Sequence, residues 1–209
     1  MILATIQKEI QDLYQVSCEE SVEDYLLACQ KPARFLKQHP WLQHSDEALL
    51  VEQNEEALEL GLWFKPALYR WGKSQDWQHL EDHSKSLNKI STLIEGVSHF
   101  VYLMSRVNEE KHVTQLELEL QAEVDKFVLL TRHLKHLPVS YLMENLFGQV
   151  TWNPHLDKNL QERYATAFRF AAQYCDYLKS NSYPFSQELL AELRLFYRMN
   201  QAEKIRHIS

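Results

Sequence analysis

VTQLELELQAEVDKFVLLTRHL, residues 113–134, sets Val113, Leu116, Leu120, Val124, Phe127, Leu130 and Leu134 along one helical stripe. Leu118, Ala122 and Leu129 form a second apolar patch on the back of the same helix. A helix that is apolar on two sides belongs in the middle of its fold, because each side has to be taken out of water by a neighbour. Thr114 with Glu117 three residues later is a capping-box pattern that opens this helix, and Pro138 is expected to close it. Upstream, residues 84–107 place Leu87, Ile90, Ile94, Val97, Val101 and Met104 on one face of another long helix. The two are expected to lie antiparallel at the heart of an α-rich bundle.

Working outward, Ile2, Ile6, Ile10, Leu13 and Tyr14 share one side of a first helix, and Ser21 can cap a second one over residues 22–30 that stops near Pro32. Residues 31–48, with Pro32 and Pro40, read as a short helix plus loop. The period then changes. Leu58, Leu60, Leu62 and Phe64 alternate with Glu59, Gly61 and Trp63, which marks a strand rather than a helix. Residues 49–53 are its natural partner across the turn Asn54-Glu55-Glu56. Further helices are expected at 66–71, at 140–147 from Ser140, from Asn153-Pro154 to about Lys179, and from Ser186 onward. The tail carrying Lys204, Ile205, Arg206, His207 and Ile208 is expected to dock back on the body through its two isoleucines. The fold class is therefore mainly α: a bundle of about four long helices, additional N-terminal helices, and one small β-hairpin at about residues 48–64. The 209 residues are expected to form a single domain, with 1–80 packed on 84–207.

Composition narrows the function classes. No window approaches the roughly 18 unbroken apolar residues of a membrane span, and the N-terminus does not read as a signal peptide, so a cytoplasmic location is expected. Cys18, Cys29 and Cys175 are odd in number and widely spaced, with no CxxC pair, and Cys175 lies on an apolar stripe as a small buried thiol. Only four glycines occur, and none supplies the spacing of a Walker loop or a dinucleotide fingerprint. The net charge is −7: residues 1–60 hold 12 acids against 4 Lys/Arg, and the remainder 17 against 18. No basic cluster is present, so nucleic acid is not an expected partner.

One polar line stands out. A helix advances about 100° per residue. His99, Tyr102 and Arg106 therefore fall within about 40° of Glu95, opposite Ile90, Val97 and Met104. The bland reading is the solvent side of an amphipathic helix, with Glu95 and His99 as an i,i+4 pair. The sharper reading turns this face inward as a buried polar network. On the following helix Glu123 lies about 60° from Leu120, inside the apolar stripe. A buried, non-functional Glu123 needs Lys126, Arg106 or backbone donors as partners, and that structural ion pair is the favoured reading. The catalytic candidates are Glu95, His99, Tyr102, Arg106 and Glu123. The candidate metal ligands are Glu95, His99, Glu119 and Glu123, an oxygen-rich set with one imidazole that suits iron, manganese or zinc. The spacing argues against the di-metal bundle pattern, because Ser98 stands where Glu-x-x-His needs its histidine. No cofactor is expected.

The segments LIEGVSHFVYL and LELELQAEVDKFV, with VEDYLL early and EKIRHI late, resemble a family of uncharacterised cytoplasmic helical proteins from proteobacteria. The resemblance implies a single bacterial domain and carries over no catalytic residue. The leading expectation is a non-enzymatic protein-interaction or regulatory module, with a protein partner or a second copy of the chain. Its support is the acidic front and the tryptophans Trp41, Trp63, Trp71, Trp77 and Trp152 near predicted loops. The alternative is a metal-binding or acid–base enzyme using the Glu/His cluster between the two central helices.

Overall fold

The computed structural model describes residues 2–27, 37, 43–53, 58–80, 84–148, 158–181 and 186–209. Their order is α1 (Ile2–Tyr14), β1 (Glu47–Gln53), β2 (Leu58–Phe64), α2 (Pro66–Lys73), α3 (Ser84–Asn108), α4 (Gln115–His133), α5 (Val139–Met143), α6 (Lys158–Asn181), α7 (Gln187–Arg198) and α8 (Gln201–Ile208). The fold is mainly α with one two-stranded antiparallel sheet. No described helix is long and apolar enough to cross a membrane.

α4 holds the central position that its two apolar faces demand, packing on α3 on one side and α6 on the other. Leu120, Val124 and Leu130 on one face, and Ala122 and Leu129 on the other, are buried. The capping box is formed: Glu117 donates its N–H to Thr114 Oγ1 at 3.1 Å, and its carboxylate accepts the Thr114 N–H at 3.0 Å. α1 lies against α3, and its Ile6, Ile10 and Tyr14 are fully buried in one apolar core that also takes in α2, α6 and α7.

In the hairpin, Glu47 pairs with Phe64 and Leu49 with Leu62, so one face of the sheet presents Leu49, Leu62, Phe64 and the Glu47 side chain toward α3. Close approach requires Gly96. A Cβ there would sit 2.7 Å from the Phe64 ring and 3.1 Å from Glu47 Oε2. The missing side chain thus lets the strand bring a carboxylate over α3 next to Glu95.

Several boundaries differ from the sequence expectation. Residues 22–27 of the expected second helix do not form an α-helix, and 28–30 lie outside the described residues: one 3-10 turn, Val22–Tyr25, gives way to extended chain, and Leu26 pairs in parallel with Leu62 while the Leu27 N–H reaches the Leu62 carbonyl at 2.8 Å. Hydrogen bonding to the free edge of β2 wins over the weak helical pattern. α4 ends at His133 rather than at Pro138, which instead stands as the cap position of α5. α5 begins at Val139 and continues as a π turn, Glu144–Gly148. The helix expected from Ser186 stops at Arg198, and a separate helix, α8, follows with its own capping box of Asn200 and Glu203. Most of the expected helix and loop at 31–48, the turn at 54–56 and the Asn153-Pro154 start lie outside the described residues.

Candidate functional site

α4 carries polar residues on two opposite lines. Glu117, Gln121 and Asp125 recur every four residues, and Glu119, Glu123 and Lys126 lie about 180° away around the helix. Each line enters a separate buried network. The polar line of α3 is therefore not the solvent side of an amphipathic helix: His99, Tyr102 and Arg106 are all at or below 5 % exposure. The bland reading fails because α4, the hairpin and α7 cover this face.

The first network joins β1, α3, α4 and α6. His99 is its pivot, with Nδ1 3.8 Å from Glu47 Oε1 and Nε2 3.6 Å from Glu119 Oε2. Beside it Lys126 donates from Nζ to Glu123 Oε1 at 2.6 Å and to Glu95 Oε2 at 3.1 Å. Tyr164 of α6 lies close to Glu119, and burial together with the surrounding carboxylates raises its phenol above the ordinary range. His99 and Lys126 form the floor, at 6 % and 9 % side-chain exposure; Glu47, Glu119, Glu123 and Glu95 form the rim, at 14, 17, 18 and 25 %.

The charges in this recess are unequal in number, with four carboxylates facing one ammonium and one imidazole. Burial raises the Glu47 carboxyl, only partly opposed by His99, to about 8. Burial pulls the His99 imidazole down, but Glu119, Glu47 and Glu95 hold it up at about 9. Burial also pushes Glu123 up against the pull of Lys126, and it stays above the usual carboxylate range. Glu95 is pushed up by burial as well, but Lys126 and His99 more than offset this and leave it low. At neutral pH the recess therefore stores a proton on Glu47 and another on His99. Two buried atoms, Glu47 Oε2 and His99 Nε2, have no hydrogen-bond partner.

The second network runs between α1, α3, α4 and α8. Asp125 accepts from Tyr14 Oη, from Ser98 Oγ at 2.5 Å and from Gln121 Nε2 at 2.8 Å. Lys204 Nζ donates to Gln121 Oε1 at 2.5 Å. Arg106 donates to the Tyr197 and Met199 carbonyls at 2.7 and 2.8 Å and to Tyr102 Oη at 2.8 Å, closing the C-terminal end of α7.

The candidates therefore divide. Glu95, His99, Glu119 and Glu123 come together, whereas Tyr102 and Arg106 belong to the other network. Lys126 partners Glu123 as the structural reading required, and pairs with Glu95 as well. Among the described residues no group of three or more His, Cys, Asp or Glu is placed to hold a metal ion. Two of the four candidate ligands, Glu95 and Glu123, are engaged by the Lys126 ammonium. Two surface grooves, of about 420 Å³ beside Thr114 and Arg163 and about 510 Å³ beside Lys8 and Asp12, lie away from the recess.

Sequence reasoning missed Glu47 and Tyr164; it placed Asp125 on the central helix pair without making it a candidate, and it gave Lys204 no buried role. The four-residue recurrence of Glu117, Gln121 and Asp125 inside an apolar helix was a usable signal. A lone glutamate at the start of a strand gave none. Comparison with family models, with curated proteins and with solved structures gives no match for this chain.

Proposed function

We propose that the protein is an acid–base catalyst acting on a polar small molecule at the mouth of the Glu47–His99–Glu119 recess. The observation that carries this reading is the position of His99. Each ring nitrogen faces a different carboxylate, at 3.8 and 3.6 Å, and Nε2 is buried without a hydrogen bond. A histidine retained only for structure has its nitrogens satisfied. Contacts slightly too long for hydrogen bonds are those expected of catalytic groups that tighten when substrate arrives. In this reading Glu47, neutral in the physiological range, is the general acid, Glu119 the base, and His99 the relay between them. Environments that push neighbouring ionisable groups apart are how one site offers both roles. The Glu95–Lys126–Glu123 pairings are the fixed charges that hold the rim.

A protein-binding role is supported by less. Among the described residues, the exposed large apolar side chains, Val51, Val107, Tyr141, Tyr177 and Leu195, lie on five different elements. Trp63 is buried, and Trp71 and Trp77 pack against the core.

The test is turnover in a cellular metabolite extract, followed by mass spectrometry, with the wild-type chain and the variants Glu47→Gln and Glu119→Gln. The wild type is expected to deplete one metabolite and accumulate a related product, and each variant to slow that conversion by about 10²–10⁴-fold. Identical metabolite profiles for wild type and variants would remove the catalytic reading.

A further inference from the structure

α8 is joined to α7 through Met199 and Asn200 in extended conformation and starts with its own capping box, so it is a self-contained segment. Of its residues Lys204 alone is fully buried; Ile205 and Ile208 are half-buried, and Ala202, Glu203, Arg206 and His207 are exposed. The element is thus anchored by a charged side chain where leucine would be the ordinary choice. The Lys204 ammonium lies 4.8 Å from the Tyr102 ring centre and 4.6 Å from that of Phe196, with the Gln121 amide oxygen at 2.5 Å. The ring faces offset only part of the cost of burying the cation. Among the described residues no carboxylate lies within ion-pair distance of it. Two outer contacts complete the docking, Thr114 Oγ1 to Gln201 at 2.7 Å and His207 to Glu192 at 2.7 Å.

We propose that α8 is a latch that opens and closes as a unit, with Lys204 as the bolt in a cage of Tyr102, Phe196 and Gln121, while the rest of the chain stays folded. An eight-residue helix has little stability of its own, so once its anchor leaves, the whole element is free to detach. Opening bares Gln121, whose amide also holds Asp125 and which lies two residues from both Glu119 and Glu123 on α4. The latch is in this way connected to the helix that builds the recess.

The groups facing Lys204 are Tyr102 and Arg106 from α3, Glu117, Gln121 and Asp125 from α4, and Phe196 from α7. On α6, Tyr174 faces His207 instead. Burial and then Arg106 depress the amine, against Asp125 and Glu117, from 10.5 to about 7. The sign follows from counting protons. Between pH 7 and 10.5 the open form binds a proton that the closed form lacks, so closing strengthens as pH rises through that window. Below it both forms are protonated and the dependence flattens.

Hydrogen exchange followed by mass spectrometry on the full chain tests this. The wild type is expected to show α8 amides at least about 100-fold less protected than those of α4 at pH 7. Their protection factors should rise by up to about tenfold per pH unit toward pH 9. The same series with His207→Gln removes the outer pair with Glu192 and should keep the slope. Lys204→Met, which fills the cage without a charge, is expected to raise α8 protection at pH 7 and abolish the slope. Protection of α8 equal to that of α4, a flat wild-type series, or looser docking in Lys204→Met would each overturn the latch; the wild-type series needs no variant to fold.

Discussion

Asp125→Ala is expected to destabilise the protein by about 3–5 kcal/mol, among the largest effects of any single side chain on α4. Asp125 is fully buried and accepts hydrogen bonds from Tyr14, Ser98 and Gln121, which arrive from α1, α3 and α4 itself. Alanine leaves the Tyr14 and Ser98 hydroxyls facing no acceptor and Gln121 Nε2 with only Tyr14 Oη at 3.2 Å, in a region too tightly packed to admit water freely. Asp125→Asn keeps the shape and one acceptor oxygen and is expected to cost about 1–2 kcal/mol at pH 7. The two differ further with pH. Burial raises the Asp125 carboxyl to about 6, although its three donors pull the other way. Because the folded value lies above the unfolded one, the folded protein takes up the proton first as pH falls. Wild type should then gain on Asp125→Asn by about 2 kcal/mol between pH 7 and 4.5. Urea unfolding of the three proteins at both pH values measures this; an advantage that shrinks on acidification would mean the carboxylate is held ionised in the fold.

Lys126→Met is expected to cost about 3 kcal/mol, for a different reason. The ammonium is 9 % exposed and pairs with Glu123 at 2.6 Å and Glu95 at 3.1 Å. Burial lowers its pKa, but the two carboxylates more than reverse this and hold it firmly charged. Methionine fills the space and leaves two partly buried carboxylates facing each other. Neutralising them as well, in Lys126→Met with Glu95→Gln and Glu123→Gln, is expected to recover most of the loss, since a buried ion cluster is worth little against a neutral one of equal volume. Thermal unfolding of the single and triple variants decides the matter. No recovery in the triple variant would show that packing of the lysine stem, rather than charge, holds the site.

Periodicity located the helices and the hairpin because apolar spacing is set by the element that each residue occupies. The centrality of α4 was legible in Leu118, Ala122 and Leu129 behind its main stripe. The convergence of Glu95, His99, Glu119 and Glu123 was legible for the same reason, since adjacent antiparallel helices must bring their facing residues together. What was not legible depends on contacts distant in the chain. Glu47 reaches the recess only because the hairpin lies on the bare backbone of Gly96. Residues 22–27 of the expected second helix went instead to an edge of β2 that sequence spacing cannot foresee. Tyr102 and Arg106 share a helix line with His99, yet α7 and α8 draw them into the Asp125 side of the molecule. The burial of Lys204 runs against the ordinary solvation of lysine, and the two isoleucines that follow it are the anchors that apolar spacing points to.

The chemistry of the recess turns on His99 as a protonated pivot between Glu47 and Glu119. Its folded pKa, raised from 6.5 to about 9, means that its contribution to stability is complete below 6.5 and is lost as pH rises through 9. The direct measurement is an NMR titration of selectively labelled histidine, with the His99 resonance assigned from a His99→Asn variant. The predicted result is an imidazolium protonated on both nitrogens at pH 7.5, titrating near 9 in the wild type and lower in Glu119→Gln. A neutral His99 titrating at or below 6.5, unmoved by Glu119→Gln, would contradict it.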